Sequence, residues 1–233
     1  MNKINLSRSR ISRLVWEAVL ENSCIAEAQH KASLLEEGAG LDRLREQAQY
    51  NTGSISTATC WALYALSTML KPKVVAEVGT FIGRSTLSFI RGMEHAGVEN
   101  GTVLTCDYSN DIELPISSNI KLLQFRKQSS TDMFAAMSSS KLRCDFLSLD
   151  GRLQGPDFPL LTAIIKEQSV ILLDDFEGIE KGVVNASTLM SALQPTHNLI
   201  YPPTNELLNK FRLLDGCSTA LIVPRSSLVF TNQ

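Results

Sequence analysis

At 233 residues, with 44% apolar and 20% charged residues, the chain can bury one large α/β core or two small ones. A formal net charge of −2 and a pI near 6.0 exclude a broad nucleic-acid-binding surface, which needs clustered Lys and Arg to neutralise phosphates. No stretch approaches the roughly 18 apolar residues of a membrane span, and no secretory apolar run follows the basic amino terminus, so a soluble, cytoplasmic protein is expected.

Residues 1–50 are polar, with apolar side chains at helical spacing: Ile11, Leu14, Val15, Ala18 and Val19, then Leu34, Leu35, Leu41 and Leu44. They read as a helical cap, broken at Gly38 and Gly40, ahead of a second unit over 51–233. The Ile11–Val19 stripe has two readings, packing on a second subunit in a homodimer or packing on its own sheet. Arg8, Arg10 and Arg13 read as a solvated helix end. Asn51-Thr52-Gly53-Ser54 is a turn, and Ser56 or Thr57 caps a helix that runs to Leu70 and stops at Pro72.

From there strands and helices alternate. Strands are predicted over 74–78, 101–107, 120–125, 144–149, 169–173, 197–201 and 219–223, with helices over 85–93, 131–137, 158–166 and 181–193. Continuous apolar strands separated by helices define a doubly wound, mostly parallel seven-stranded α/β sheet, covered on both faces. The five cysteines, Cys24, Cys60, Cys106, Cys144 and Cys217, are scattered and odd in number, with no C-x-x-C pair; they read as reduced thiols.

The chemistry gathers where strands end, because ligands of open parallel sheets bind outside the carboxyl ends. The first strand runs into Glu77-Val78-Gly79-Thr80-Phe81-Ile82-Gly83-Arg84-Ser85. Gly79 permits a sharp turn, and Gly83 is expected to allow close approach to a ligand. A dinucleotide fold would carry glycine where Phe81 stands, so no pyrophosphate cradle is expected and a nicotinamide-dependent oxidoreductase is disfavoured. A nucleoside without a diphosphate fits better, and Glu77 points to a positive charge on it. Asp107 ends the second strand, where an acid accepts ribose hydroxyls. Ser129, after the third strand, is either a contact for an adenine edge or a plain helix cap.

Asp150 ends the fourth strand and Asp174-Asp175 the fifth. Three carboxylates on adjacent strand ends need a cation or a proton between them. Oxygen ligands without nearby His or Cys suit Mg²⁺, Mn²⁺ or Ca²⁺. The bland reading is a helix cap and a solvated aspartate.

These residues together resemble the class I S-adenosylmethionine-dependent methyltransferases, and among them the catechol and caffeoyl-CoA O-methyltransferases and related bacterial small-molecule O-methyltransferases. The similarity covers roughly residues 50–225. It implies a Rossmann-like methyltransferase fold and methyl transfer to the hydroxyl of a small molecule. It places the cofactor on Glu77, Gly79, Thr80, Phe81, Gly83, Ser85, Asp107, Ser129 and Asp150, with Gly53 near the methionine end. It also implies a divalent metal, Mg²⁺ by preference, on Asp150, Asp174 and Asp175, with Asp150 and Asp175 in catalytic roles. The chain departs from that pattern at the base: Leu153 stands where catechol-type enzymes carry lysine, and Arg152 and Leu153 stand where the bacterial group carries histidine. Arg152 can orient an acid but cannot take a proton. Asp175 or Glu177 is left as a weak base, and His197 reads as structural. The missing base motivates a rival reading, a non-catalytic cofactor-binding relative that serves as an assembly partner.

Overall fold

Side chains alternate along each central strand, and both faces of each strand are apolar; layers on the two sides follow. The computed structural model describes residues 8–25, 28–50, 53–193 and 195–227. Its strands are β1 (Val74–Val78), β2 (Thr102–Asp107), β3 (Lys121–Arg126), β4 (Cys144–Leu149), β5 (Ile165–Leu173), β6 (His197–Ile200) and β7 (Ala220–Pro224). They form one sheet in the order β3-β2-β1-β4-β5-β7-β6. β1 to β5 pair in parallel, while β7 runs antiparallel to both β5 and β6. The expected seven-stranded, mostly parallel sheet is present.

One face carries Val75, Val103, Phe146, Val170, Leu172 and Leu221; the other carries Ala76, Leu104, Leu147, Ile171, Leu173 and Ile222. Helices α1 (Arg8–Ile25), α3 (Thr57–Leu70), α4 (Arg84–His95) and α8 (Asn205–Lys210) cover the first face. Helices α5 (Ser130–Ser139), α6 (Asp157–Ile164) and α7 (Val184–Leu193) cover the second. Helix α2 (Ala28–Asp42) lies outside α3 and α4, where Leu34 and Leu41 meet Trp61, Tyr64 and Leu87.

Of the two readings of the amino-terminal stripe, the intramolecular one is realised. Trp16, Val19 and Leu20 are buried in the same core as Val75 and Phe146, with Ile11 and Val15 packed against it. Trp16 Nε1 donates to Tyr201 O at 2.7 Å, and the Ser12 hydroxyl accepts from Tyr201 N at 3.0 Å. The first helix therefore holds the segment after β6.

The elements differ from the sequence reading in places: helix α2 runs unbroken through Gly38 and Gly40, where a break was expected, because a helix tolerates glycine at a modest cost. Helix α6 stops at Ile164, because Ile165 already pairs with Cys144 in the sheet. Helix α8 went unpredicted; it is one short segment behind Pro202-Pro203, capped by the Thr204 hydroxyl, which accepts from Leu207 N at 3.3 Å. Cys60, Cys106 and Cys144 are buried free thiols and Cys217 is half-buried, while the side chain of Cys24 lies outside the described residues.

Helices α3 and α4 approach closely at Gly92, where a Cβ would stand 2.5 Å from Tyr64 O and 2.7 Å from Ser67 Cβ. Neither is a flexible side-chain end. Gly92→Ala should cost about 1–3 kcal/mol of overpacking, a fall of several degrees in Tm readable by circular dichroism. An unchanged Tm would mean that the contact is looser than described.

Candidate active site

The sheet ladder continues one step beyond the strands. Gly79 N donates to Cys106 O (3.0 Å), Asp150 N to Val78 O (2.9 Å) and Asp174 N to Leu149 O (2.9 Å). The loops after β1, β4 and β5 therefore leave the sheet side by side. Strand order reverses between β1 and β4, and there the sheet opens into a cavity of about 1320 Å³. Pockets that hold a single drug-sized ligand measure roughly 300–1,000 Å³. This cavity has room for two molecules.

At one end lies the turn after β1. Gly79 has φ +101°, and a Cβ there would stand 3.0 Å from Asp150 O. Gly83 has φ +82°, but a Cβ would meet Leu114 Cδ1 at 2.5 Å. Gly83 lines the cavity as well, so its glycine serves both the left-handed turn and the packing on Leu114. Phe81 adopts φ +44°, a left-handed conformation that bulky residues rarely take. Its amide donates to Asp107 Oδ2 at 2.8 Å, and its ring stacks on Tyr50 with centroids 5.3 Å apart. Those contacts hold the strained turn in place.

Asp107 accepts five hydrogen bonds. Oδ2 takes the amides of Phe81 and Asn110 (side chain, 3.3 Å) and the Tyr50 hydroxyl (2.9 Å); Oδ1 takes Ser109 N (2.9 Å) and Asn110 N (3.0 Å). The carboxylate lines the cavity and also organises the turn. Tyr50 was not foreseen, because nothing in the helical periodicity marks it. Thr80, Ser85 and Gly53 also line the cavity, with the Thr80 hydroxyl bonded to that of Thr105; Thr52 lies outside the described residues. Ser129 caps α5 reciprocally with Asp132 while facing the cavity, so both of its readings have a physical basis.

Glu77 departs from expectation. It is 1% exposed and lies beneath the cavity floor, where Oε2 accepts from the Thr86 hydroxyl at 2.5 Å. Burial outweighs the hydroxyls of Ser85, Thr105 and Thr86 and raises its pKa. It does not present a charge to the cavity directly.

At the other end the three aspartates meet. Asp174 Oδ1 accepts from the Thr219 hydroxyl at 2.7 Å. Asp175 sits at φ +48°, and Gly178 N returns to its carbonyl at 2.8 Å. A π-helical turn over Ile179–Val183 then leads into α7. Gly182 lies flat on Phe176, where a Cβ would stand 2.3 Å from the Phe176 Cα. This folded-back loop brings Lys181 Nζ to 3.1 Å from Asp150 Oδ1 and 3.2 Å from Asp175 Oδ2. Sequence reading had placed Lys181 at the start of a helix and given it no role. The readable hint was the pair Gly178 and Gly182 around it.

Both kinds of charge relief are present. Burial, followed by the Asp174 charge, pushes the Asp150 carboxyl from its ordinary 3.8 up to about 7. Asp174 is raised as well, chiefly by burial. Burial works against the Lys181 charge, but Asp150 and Asp175 outweigh it and hold its pKa above the ordinary value. Among the described residues, no group of three or more His, Cys, Asp or Glu has the mutual geometry to hold a metal.

Beside the cluster, Asn185 fixes the loop after β4: its Nδ2 donates to Gly151 O at 2.9 Å and its Oδ1 accepts from Leu153 N at 3.2 Å. Leu153 packs into the core, while Arg152 and Glu177 line the cavity. His197 is buried away from it, against Ser169 O and the Thr196 hydroxyl.

No family model matches this chain, and no curated protein matches it in sequence. Solved structures do. The Bacillus cereus O-methyltransferase in complex with SAH superposes with a TM-score of 0.55 at 15% identity, over 86% of this chain and 93% of that one. TomG, an O-methyltransferase of Streptomyces achromogenes involved in tomaymycin synthesis and bound to SAM, gives 0.56 at 14%, over 81% and 89%. The SAH-bound methyltransferase PaMTH1 of Podospora anserina gives 0.53 at 14%, over 97% and 100%. The chain has the fold of these methyltransferases. No described helix is long and apolar enough to cross a membrane.

The Asp150 shift has a sign that stability can report. With a folded pKa of about 7 against an ordinary 3.8, its contribution to stability is full below about pH 4 and is lost as pH rises through 7. Asp150→Asn stays neutral at every pH. Its Tm relative to the parent should therefore rise by a few degrees between about pH 5 and about pH 8. A pH-independent difference would refute the shift.

Proposed function

We propose that this protein transfers a methyl group from S-adenosylmethionine to a hydroxyl of a small molecule. The observation that carries the reading is the two-ended cavity. At its switch point it joins a nucleoside-sized end, built on Gly79–Gly83 and Asp107, to an acidic end built on Asp150, Asp174 and Asp175. The solved methyltransferases of the same fold, two bound to SAH and one to SAM, support it.

The residues present fit the cofactor. The turn after β1, with Thr80, Phe81, Gly83 and Ser85, forms one wall of the site, and Ser129 and Gly53 the flanks. Asp107 Oδ2 would receive a ribose hydroxyl where it now receives Tyr50. S-adenosylmethionine supplies a methyl on a cationic sulfur, transferable to oxygen without covalent help from the protein. What the chain contributes is alignment, exclusion of water and a place for one proton. Asp150, half-buried in the cavity with a pKa of about 7, is matched to take the hydroxyl proton at neutral pH. This answers the absence of a lysine or histidine after Asp150-Gly151. Asp175 would be the more exposed second carboxylate.

The divalent metal implied by the resemblance does not fit the arrangement of these side chains. The ammonium of Lys181 stands in hydrogen-bond contact with two of the three carboxylates, and Thr219 engages the third. A dication beside that ammonium would be repelled by it. No step of the reaction is routed through a metal.

Calorimetric titration with S-adenosylhomocysteine should show micromolar binding; no binding would overturn the reading. Tyr50→Phe removes the hydroxyl that competes for Asp107 Oδ2 and should tighten that binding several-fold. Weaker binding in Tyr50→Phe would mean that the hydroxyl supports the nucleoside end instead.

A further inference from the structure

We infer that Lys181 is the resident cation of the acidic cluster, closing the site to divalent metals; its bearing on catalysis rests on the methyltransfer reading, its test does not. Lys181 Nζ lies 3.1 Å from Asp150 Oδ1 and 3.2 Å from Asp175 Oδ2, the spacing of N–H···O bonds. Mg²⁺ would draw such oxygens to about 2.0–2.1 Å and demand near-octahedral ligands around it. The two oxygens instead flank a nitrogen that sits between the ends of β4 and β5.

The placement is built by the backbone. Gly178 N is tied to Asp175 O, and Gly178 O accepts from both Gly182 N (2.9 Å) and Val183 N (3.2 Å). Gly182 is pressed against Phe176 so closely that any side chain there would meet backbone at 2.3–2.5 Å. Asp175 holds a left-handed conformation at the start of the same loop. These constraints fix the turn that carries Lys181, so its ammonium is part of the site's frame. A lysine ammonium has three N–H donors. Two are spent on Asp150 and Asp175, and the residue lines the cavity, so the third remains for an oxygen of a bound molecule. Lys181 thereby supplies at this corner the fixed positive charge that a metal supplies elsewhere, through a hydrogen bond and without coordination.

The test is a titration of Mn²⁺ alone into the full chain, reading free Mn²⁺ by electron paramagnetic resonance. The wild type should take up no Mn²⁺ up to about 1 mM, the weak limit of protein sites for divalent cations. Lys181→Met leaves Asp150 and Asp175 without their cation and should gain at least about tenfold in Mn²⁺ affinity. Lys181→Gln, which keeps a donor but no charge, is the second variant and should gain in the same direction. Stoichiometric Mn²⁺ binding by the wild type would overturn the inference, whether or not a variant folds. Folded variants that bind no better than wild type would overturn it too. The S-adenosylhomocysteine titration is independent: its failure strikes the cofactor reading and leaves the Mn²⁺ result standing.

Discussion

Three backbone hydrogen bonds beyond the last residues of the strands set the geometry of this site. Through them Gly79, Asp150 and Asp174 leave the sheet at neighbouring positions: Asp150 is bonded to Val78 and Asp174 to Leu149. Everything functional hangs on that edge. A side-chain contact can be remade by a rotamer change, but shifting one of these departures would break sheet pairing that is buried on both faces. The turn, the acidic cluster and the loop that carries Lys181 are therefore read off the same ruler.

Five acids lie at or below this edge, and the molecule relieves them in four ways. Asp107 is surrounded by five donors, three of them main-chain amides, so its charge is solvated by the chain itself. Asp150 and Asp175 share an ammonium. Asp174 turns to a hydroxyl and is raised by burial. Glu77, wholly buried, is pushed towards its neutral form. Five acids near one edge look alike in sequence, but their surroundings give them different chemistry: a fixed acceptor at Asp107, a carboxyl raised to near neutrality at Asp150, a partner for a cation at Asp175, a hydroxyl-bound carboxyl at Asp174 and a structural carboxyl at Glu77.

The strands and the acids at their ends were legible in the sequence because parallel strands buried on both faces are unbroken apolar runs, and the punctuation after them is polar. Where an apolar run served two elements the reading failed: Ile164-Ile165 ends a helix and begins a strand, and no periodicity marks the change. Roles that depend on which neighbour is met in space were not legible. Gly83 reads as a ligand-binding glycine, and its second neighbour, Leu114, thirty-one residues on, is visible only in space. Glu77 looks like a ligand until Thr86 is seen to take it inward. Lys181 was hidden because its reach depends on a π-helical turn, and one residue more per turn moves a side chain by about a quarter of the helix circumference.

The bond from Trp16 to Tyr201 joins residues 185 positions apart. Tyr201 and Pro202 form one wall of the cavity, so that wall rests on a helix from the opposite end of the chain. Such a contact closes nearly the longest loop available, and loops of that length close only after shorter ones have nucleated the sheet. A nascent chain would complete the strand ends, and with them the turn after β1, before the cavity has its last side. Ligand-binding competence is therefore a late event in folding, and a ligand that bridges the two ends would stabilise the docking of the first helix as much as the site it fills.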